Sequence, residues 1–306
     1  MQEKFGKTLL IVNPTSQSGK GIVASVRVRE ILEAVLQQDL DVVFTEAEKH
    51  AIEIAAGAEA YDTVIALGGD GVVHETANGL MRIPQEKRPR FTVLPMGSGN
   101  DYAKSLGISS SDIELAVSQI LNGVEHTVDV GVCNGEYFVE TLSFGLDAGI
   151  AIKTMELRKT SKKTETALYF DAGIDQLFHH LDTYSFEAEL DGRKIEGKDI
   201  MFAVQNGVTY GGGFKICPDA SLEDGMFDIC YCDGPVNVLR ALWVFMKAKD
   251  GKHTGYKELH FERAKSIKIK FDHRPPCQLD GEIHLADSYD VSVVPGALRV
   301  IMNCEK

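Results

Sequence analysis

The chain has 306 residues, 44% of them hydrophobic and 25% charged, with a formal net charge of −13. That length allows two domains or one large one, and the composition is that of an ordinary globular protein. The acidic balance argues against a nucleic-acid partner, because no basic footprint covers a domain. No apolar run approaches the roughly 18 residues of a membrane span. The start of the chain has no charged region followed by an apolar one, so no secretory signal is expected. The six cysteines (Cys133, Cys217, Cys230, Cys232, Cys277 and Cys304) lack metal-type spacing and suit a reducing cytosol. Cys230 and Cys232 would merely share one face of a strand.

In chain order, Leu9 to Val12 reads as a short strand ending in Asn13-Pro14-Thr15-Ser16, a cluster of turn formers. Gly19-Lys20-Gly21 follows without full P-loop spacing. A helix is then expected from the apolar positions Ile22, Val23, Val26, Ile31, Leu32, Val35 and Leu36. Val42 to Phe44 gives a second strand ending at Thr45, and Ala47 to Ala60 a second helix. The third strand, Val64 to Leu67, is apolar without alternation, as in a strand buried on both faces. It runs into Gly68-Gly69-Asp70-Gly71, and the spacing of Val72, Val73, Thr76, Ala77 and Leu80 predicts a helix after that turn. Phe91 to Pro95 is the fourth strand and ends in Met96-Gly97-Ser98-Gly99-Asn100-Asp101. A capping box at Ser111 and Glu114 opens a helix that ends near Gly123.

Four alternations of strand and helix predict an α/β domain with a parallel sheet. Ligands bind such sheets at the carboxyl ends of the strands. Asn13, Thr45, Gly68 to Gly71 and Gly97 to Asn100 all fall at those ends. A glycine turn before a helix N-terminus attracts phosphate. Asp70 within it would repel phosphate unless a cation lay between them, so the turn points to magnesium and a nucleotide. His74, alone on its helix, reads as structural.

After His126 the pattern changes. Val128 to Val132, Tyr137 to Phe144, Tyr184 to Leu190, Asp199 to Gln205, Phe227 to Tyr231, Lys265 to Phe271, Tyr289 to Val294 and Leu298 to Met302 read as strands with mostly short connections. They predict an antiparallel sandwich or barrel, interrupted by helices at about 166–181 and 235–249. The expected division is residues 1–127 and 128–306.

Several motifs together resemble the diacylglycerol kinase catalytic-domain family, which includes soluble bacterial lipid kinases and the sphingosine kinases. In the first half they are Val12-Asn13-Pro14, Gly68-Gly69-Asp70-Gly71 with Glu75, and Leu94-Pro95-Met96-Gly97-Ser98-Gly99-Asn100-Asp101. In the second they are Val128-Asp129-Val130-Gly131, Asn206-Gly207 with Gly211-Gly212-Gly213, Cys217-Pro218-Asp219-Ala220, Glu223-Asp224-Gly225 and Leu279-Asp280-Gly281-Glu282. They arrive in the family's order over nearly the whole chain. The resemblance implies a nucleotide-binding α/β domain, a C-terminal antiparallel β-sandwich for the lipid, and a last segment that returns to the first domain. Val72 and His74 depart from the commonest pattern, as they do in sphingosine-kinase-like members.

The resemblance further implies an ATP- and magnesium-dependent kinase of a lipid hydroxyl, with diacylglycerol or a related lipid as acceptor. ATP would be held by Asn13, Pro14, Thr15, Ser16, Thr45, Gly68, Gly69, Asp70, Gly71, Glu75, Gly97, Ser98 and Asn100. Asp70 and Asp129 are the candidates for organising magnesium and its waters, and the Asp280–Glu282 turn would supply the proton acceptor. Glu282 is favoured there, with Asp280 as neighbour or alternative. A structural magnesium is implied at the Asp224 carboxylate and the backbone oxygens of Ser221 and Met226, an oxygen-only set that suits a hard ion. Two other readings stay open: a kinase of a soluble acceptor such as NAD, and a non-catalytic nucleotide-binding regulator. The expected location is cytoplasmic with peripheral membrane contact. Lys153, Arg158, Lys159, Lys162 and Lys163 would steer toward an anionic bilayer, and Ile150, Ile152 and Met155 would border a lipid groove. Homodimer formation is left open.

Overall fold

A computed structural model describes residues 5–303 except 159, 162 and 164, and omits the side chains of Ser18 and Glu165. Cys304, Lys159 and Lys162, singled out above, lie outside the described residues. The chain divides into two compact units, Met1–Val128 with Gly296–Lys306, and Asp129–Pro295.

The first unit is built on a parallel sheet. Its strands are β1 (Thr8–Val12), β2 (Asp41–Phe44), β3 (Thr63–Gly68) and β4 (Arg90–Pro95), in the order β2-β1-β3-β4. β1 and β3 are buried along their whole length, as strands covered on both faces must be, whereas edge strand β2 is half exposed. The helices of this unit are α1 (Ser16–Leu36), α2 (His50–Ala56), α3 (Asp70–Leu80), α4 (Asp101–Ser105) and α5 (Ile113–Asn122).

The second unit is antiparallel. Strands β5 (Val124–Cys133) and β6 (Glu136–Phe138) pair at its start. A sheet then runs from β14 (Glu282–Ile283) through β13 (Cys277–Leu279), β7 (Thr141–Gly145), β9 (Arg193–Gln205), β8 (Tyr184–Leu190) and β12 (Ser266–Phe271) to β15 (Tyr289–Met302). β9 also pairs with β10 (Phe227–Asp233), which pairs with β11 (Leu259–Ala264). One core gathers Phe138, Phe144, Phe186, Phe202, Phe227 and Tyr289. A second core forms under α6 (Leu146–Arg158), α7 (Glu165–His179) and α8 (Val238–Ala248), around Tyr169, Phe214 and Phe245. The result is the antiparallel β-sandwich expected for the second half. No helix among the described residues is long and apolar enough to cross a membrane.

β15 starts in the second unit and its last residues belong to the first, where Val300 pairs with Phe91 in parallel. The two strands expected at 289–294 and 298–302 are thus one element. Arg88 secures the returning segment: its buried guanidinium donates to the carbonyls of Leu80 (2.9 Å), Ile83 (2.8 Å) and Ala297.

Other expectations are corrected. The helix expected over 47–60 covers only His50–Ala56, because Lys49 takes a left-handed backbone (φ 66°). The cap of α5 is Asp112, which accepts the Glu114 N–H at 2.8 Å; Ser111 bonds Ser109 instead. The strand expected over 137–144 is broken after Phe138, where the Val139 and Glu140 amides turn to the Asp280 carboxylate. α6 was not foreseen, its apolar and charged residues giving no clean helical stripe. The five described cysteines are free thiols and buried.

Candidate active site

In the first unit the strand ends are tied to one another by the backbone. Asn13 N–H donates to the Leu67 carbonyl (3.0 Å), Thr45 N–H to Val12 (2.9 Å) and Met96 N–H to Gly68 (2.7 Å). The four turns are therefore held at one edge of the sheet. Asn13 Oδ1 accepts from both N–H and hydroxyl of Thr15, at 3.0 and 2.8 Å, which folds Asn13-Pro14-Thr15 into a compact turn. Ser16 is buried beneath it and opens α1.

The two glycine turns pack backbone on backbone. A Cβ on Gly97 would lie 2.4 Å from the Gly69 Cα, and one on Gly69 would lie 3.0 Å from the Gly97 Cα. Neither turn tolerates a side chain at that contact. Asp70, the first residue of α3, reaches across the junction. Its Oδ2 accepts the Asn100 N–H and its Oδ1 the Asp101 N–H, both at 2.9 Å. Asn100 folds its own turn, its side chain accepting from Gly97 N–H (2.8 Å) and donating to the Gly97 carbonyl (2.9 Å). Ser98 is exposed in the same turn. Gly99 packs tightly against two carboxylates: a Cβ there would lie 2.6 Å from Asp70 Oδ2 and 3.4 Å from Asp101 Oδ2. Asp70 spends both oxygens on backbone amides and Asp101 Oδ1 pairs with Lys104 at 2.9 Å, so a magnesium ion here would be held through its waters. Asp101 was missed from the sequence, although it sits inside a quoted motif.

Glu75 reaches across to a neighbouring helix. Its two oxygens accept the N–H groups of Lys49 (2.8 Å) and Ala51 (3.1 Å), so it caps the N-terminus of α2 from a neighbouring helix. His74 is buried on α3, 3.3 Å from Asn78 Nδ2, as a structural histidine should be.

In the second unit Asp280 and Glu282, two residues apart, separate in role. Asp280 Oδ2 accepts the Val139 N–H (2.8 Å), and its Oδ1 accepts those of Glu140 (2.9 Å) and Thr141 (3.0 Å). It does so with φ 47°, a conformation aspartate tolerates in tight turns. Glu282 is exposed, and its side chain has no hydrogen-bond or ion-pair partner among the described residues. Buried Asn206 binds the same stretch, donating to the carbonyls of Val139 (2.8 Å) and Asp129 (3.0 Å).

Asp129 belongs to the second unit, while Asp70 lies in the first. The Asp129 carboxylate accepts the Gly225 N–H at 2.6 Å, and its own N–H donates to Leu222 at 2.7 Å, so it anchors the acidic turn. In that turn Asp224 Oδ1 accepts the Met226 N–H (3.1 Å) and Oδ2 faces Arg263. Arg263 Nε also lies 3.5 Å from Asp228 Oδ1. Asp228 Oδ2 is buried with no hydrogen-bond partner, an orphan acceptor that a cation would satisfy. Burial, with Asp224 nearby and against the pull of Arg263, raises the Asp228 carboxyl above the usual carboxylate range. Both Asp224 oxygens are thus engaged, and Asp228 Oδ2 is the acceptor left over at this turn.

The second unit also holds a cavity of about 50 Å³, walled by Leu146, Ile150, Tyr169, Ile216, Val244 and Phe245 among others. Among its few charged lining groups, Arg240 and Glu258 pair at 2.9 and 3.1 Å. Asp147 also lines it, with Oδ1 3.3 Å from the Tyr169 hydroxyl and Oδ2 buried without a partner. Burial pushes its carboxyl up to about 7, although bonds to Ser143 and Tyr169 oppose the rise. Ile150, expected at the border of a lipid groove, lines this cavity. On the nearby basic stretch, Lys153 lies 3.5 Å from Glu156 and Lys163 lies 2.5 Å from Asp171.

Two family descriptions match the chain: the diacylglycerol kinase catalytic domain over residues 7–133, and the YegS C-terminal NAD kinase beta sandwich-like domain over 140–302. A diacylglycerol kinase of Bacillus subtilis is 33% identical over 233 residues, 76% of this chain and 75% of that protein. A diacylglycerol kinase of Staphylococcus carnosus is 30% identical, covering 73% and 71%. A crystal structure of a diacylglycerol kinase from Bacillus anthracis superposes with a TM-score of 0.82 at 26% identity, over 98% of each chain. Two glycine turns locked through Asp70, an exposed glutamate beside a half-buried aspartate, and these likenesses agree: the chain belongs to the diacylglycerol kinase family of lipid kinases.

Proposed function

We propose that the protein transfers the γ-phosphoryl group of ATP to the hydroxyl of a diacylglycerol-type lipid, with magnesium as the assisting cation. The observation that carries this acceptor is the apolar cavity of the second unit. Its lining is almost wholly apolar and suits acyl chains, and at about 50 Å³ it must widen to admit one. A soluble acceptor such as NAD would leave many polar groups unpaired against such walls, which is costly.

Phosphoryl transfer asks a protein for positioning and charge rather than covalent chemistry. In this reading Asn13 to Ser16, Thr45 and the two glycine turns, Gly68 to Gly71 and Gly97 to Asn100, hold the nucleotide. Glu75 supports them by fixing α2. Magnesium, when bound, neutralises the phosphate oxygens, and Asp70 with Asp101 would hold it through water. Glu282 takes the proton of the lipid hydroxyl as its oxygen attacks the γ-phosphorus. The bond to the β-phosphate oxygen breaks, ADP leaves, and the proton remains on Glu282. Asp280 positions that turn. The second cation is assigned to Asp224 with backbone oxygens of Ser221 and Met226, and Asp129 fixes the loop that presents them. An acceptor that resides in a bilayer requires peripheral membrane contact.

Radiolabelled ATP offered with diacylglycerol, with NAD and with no acceptor tests the reading. Label in extractable lipid alone is expected. Label in NAD alone would replace the lipid acceptor with a soluble one, and label in neither would favour a nucleotide-binding regulator.

A further inference from the structure

Helix α8 carries apolar residues on two faces. Its sequence, Val-Leu-Arg-Ala-Leu-Trp-Val-Phe-Met-Lys-Ala, turns Ala241, Val244, Phe245 and Ala248 to the cavity. The opposite face carries Leu239, Trp243 and Met246, spaced by four and three residues and exposed by 70, 51 and 54%. Residues at that spacing form one stripe. A monomeric globular protein has no reason to leave three large apolar side chains aligned in water. The neighbouring helix α7 packs against α8 so closely that a Cβ on Gly173 would lie 2.3 Å from the Phe245 ring. It adds Ile174 and Phe178, exposed by 47 and 54% and one helical turn apart.

Arg240 is paired with Glu258 and α7 carries Asp171 and Asp175, so the basic character of this face comes from the lysines of α8 and its end. From Val236 to Lys249 the chain carries Arg240, Lys247 and Lys249 and no acidic residue, in a protein whose net charge is −13. Lys247 lies 4.7 Å from the Trp243 ring centre, and Trp243 Nε1 donates to the Tyr256 hydroxyl at 2.7 Å. An apolar stripe bordered by lysines, with a tryptophan and a tyrosine joined at its edge, has the chemistry of a helix lying in a lipid headgroup region. Its other face forms the cavity wall, so a lipid leaving the bilayer would have one helix to pass.

We propose that the outer face of α8, with Ile174 and Phe178 of α7, docks on an anionic lipid bilayer and delivers the acceptor to the cavity beneath. This rests on the lipid-kinase reading for its purpose, although the docking itself needs no ATP. Trp243 is the chain's one tryptophan, so its emission reports on this face alone.

Vesicles of equal parts phosphatidylcholine and phosphatidylglycerol should blue-shift the emission of the wild-type protein, and lipids brominated on their acyl chains should quench it. High salt or pure phosphatidylcholine should weaken both effects. Leu239→Ser with Met246→Ser should reduce vesicle affinity at least about tenfold, because each side chain loses a burial worth a large part of such a step. The same variant should keep wild-type turnover on a short-chain diacylglycerol in detergent micelles, which also shows that it folds. Emission unmoved by vesicles would overturn the proposal. So would a blue shift that follows protein concentration without lipid, which would assign the face to a second copy of the chain. Turnover on micellar diacylglycerol tells these failures apart from failure of the lipid-kinase reading: it persists if only the docking face is wrong, and is absent if the acceptor is wrong.

Discussion

Asp70 accepts the backbone N–H of Asn100 at 2.9 Å, so the carboxylate of one glycine turn is held by the backbone of the other. A second bond from the Asp101 N–H completes the lock. Asp70→Asn offers one acceptor oxygen where there were two and removes the charge. Turnover should fall by at least about a hundredfold, the usual cost of losing one electrostatic contact at a reacting centre. From the sequence this substitution looks neutral for stability. The two amide bonds change that expectation, and a melting temperature lower by a few degrees should accompany the lost activity. Differential scanning calorimetry beside steady-state kinetics checks both.

Glu282 and Asp280 should part company in the same pair of measurements. Glu282→Gln removes an exposed carboxylate without partners, so the melting temperature should stay within about a degree. Turnover should drop by roughly 10²- to 10⁴-fold, as for loss of a general base. Asp280→Asn deprives three amides of a charged acceptor and should lower the melting temperature by several degrees, at about 2–4 °C per kcal/mol for a domain of this size. Equal destabilisation by the two substitutions would refute the division of labour.

At the acidic turn Arg263 would compete with the proposed cation for Asp224. Magnesium without ATP should raise the melting temperature of the wild type by mass action. Arg263→Gln should enlarge that rise, and Asp224→Ala should abolish it. A Asp224→Ala protein that responds to magnesium like the wild type would show that the turn binds no ion.

Asp147 gives a pH signature. Its carboxyl titrates at about 7 in the folded chain, far above an exposed aspartate. The folded state therefore holds a proton that the unfolded chain has lost, and stability falls as pH rises from about 4 toward 7. Above that window both states are ionised and the penalty is constant. Asp147→Asn removes it, so the variant should gain on the wild type by several degrees of melting temperature between pH 5 and 8. Parallel curves over that range would contradict a buried, neutral Asp147.

Local runs carried much of the architecture in the sequence. The unalternating strands, the two glycine turns and their order are short-range patterns, and they place the nucleotide side of the site. What was hidden was pairing across the chain. Glu75 caps a helix through Lys49, 26 residues before it, and Arg263 meets Asp224 from 39 residues away. No periodicity announces such contacts. The break after Phe138 was invisible for the same reason, since Asp280, 141 residues on, takes the Val139 amide out of the strand. Asp147 and Asp228 escaped notice because burial, not residue type, makes them unusual.

Mass spectrometry of the lipid extracted after incubation with ATP, magnesium and diacylglycerol tests the central claim most directly. The account predicts a lipid heavier by one phosphate in the wild-type reaction and almost none with Glu282→Gln. ADP formed without phosphorylated lipid, or the same product from both proteins, would contradict it.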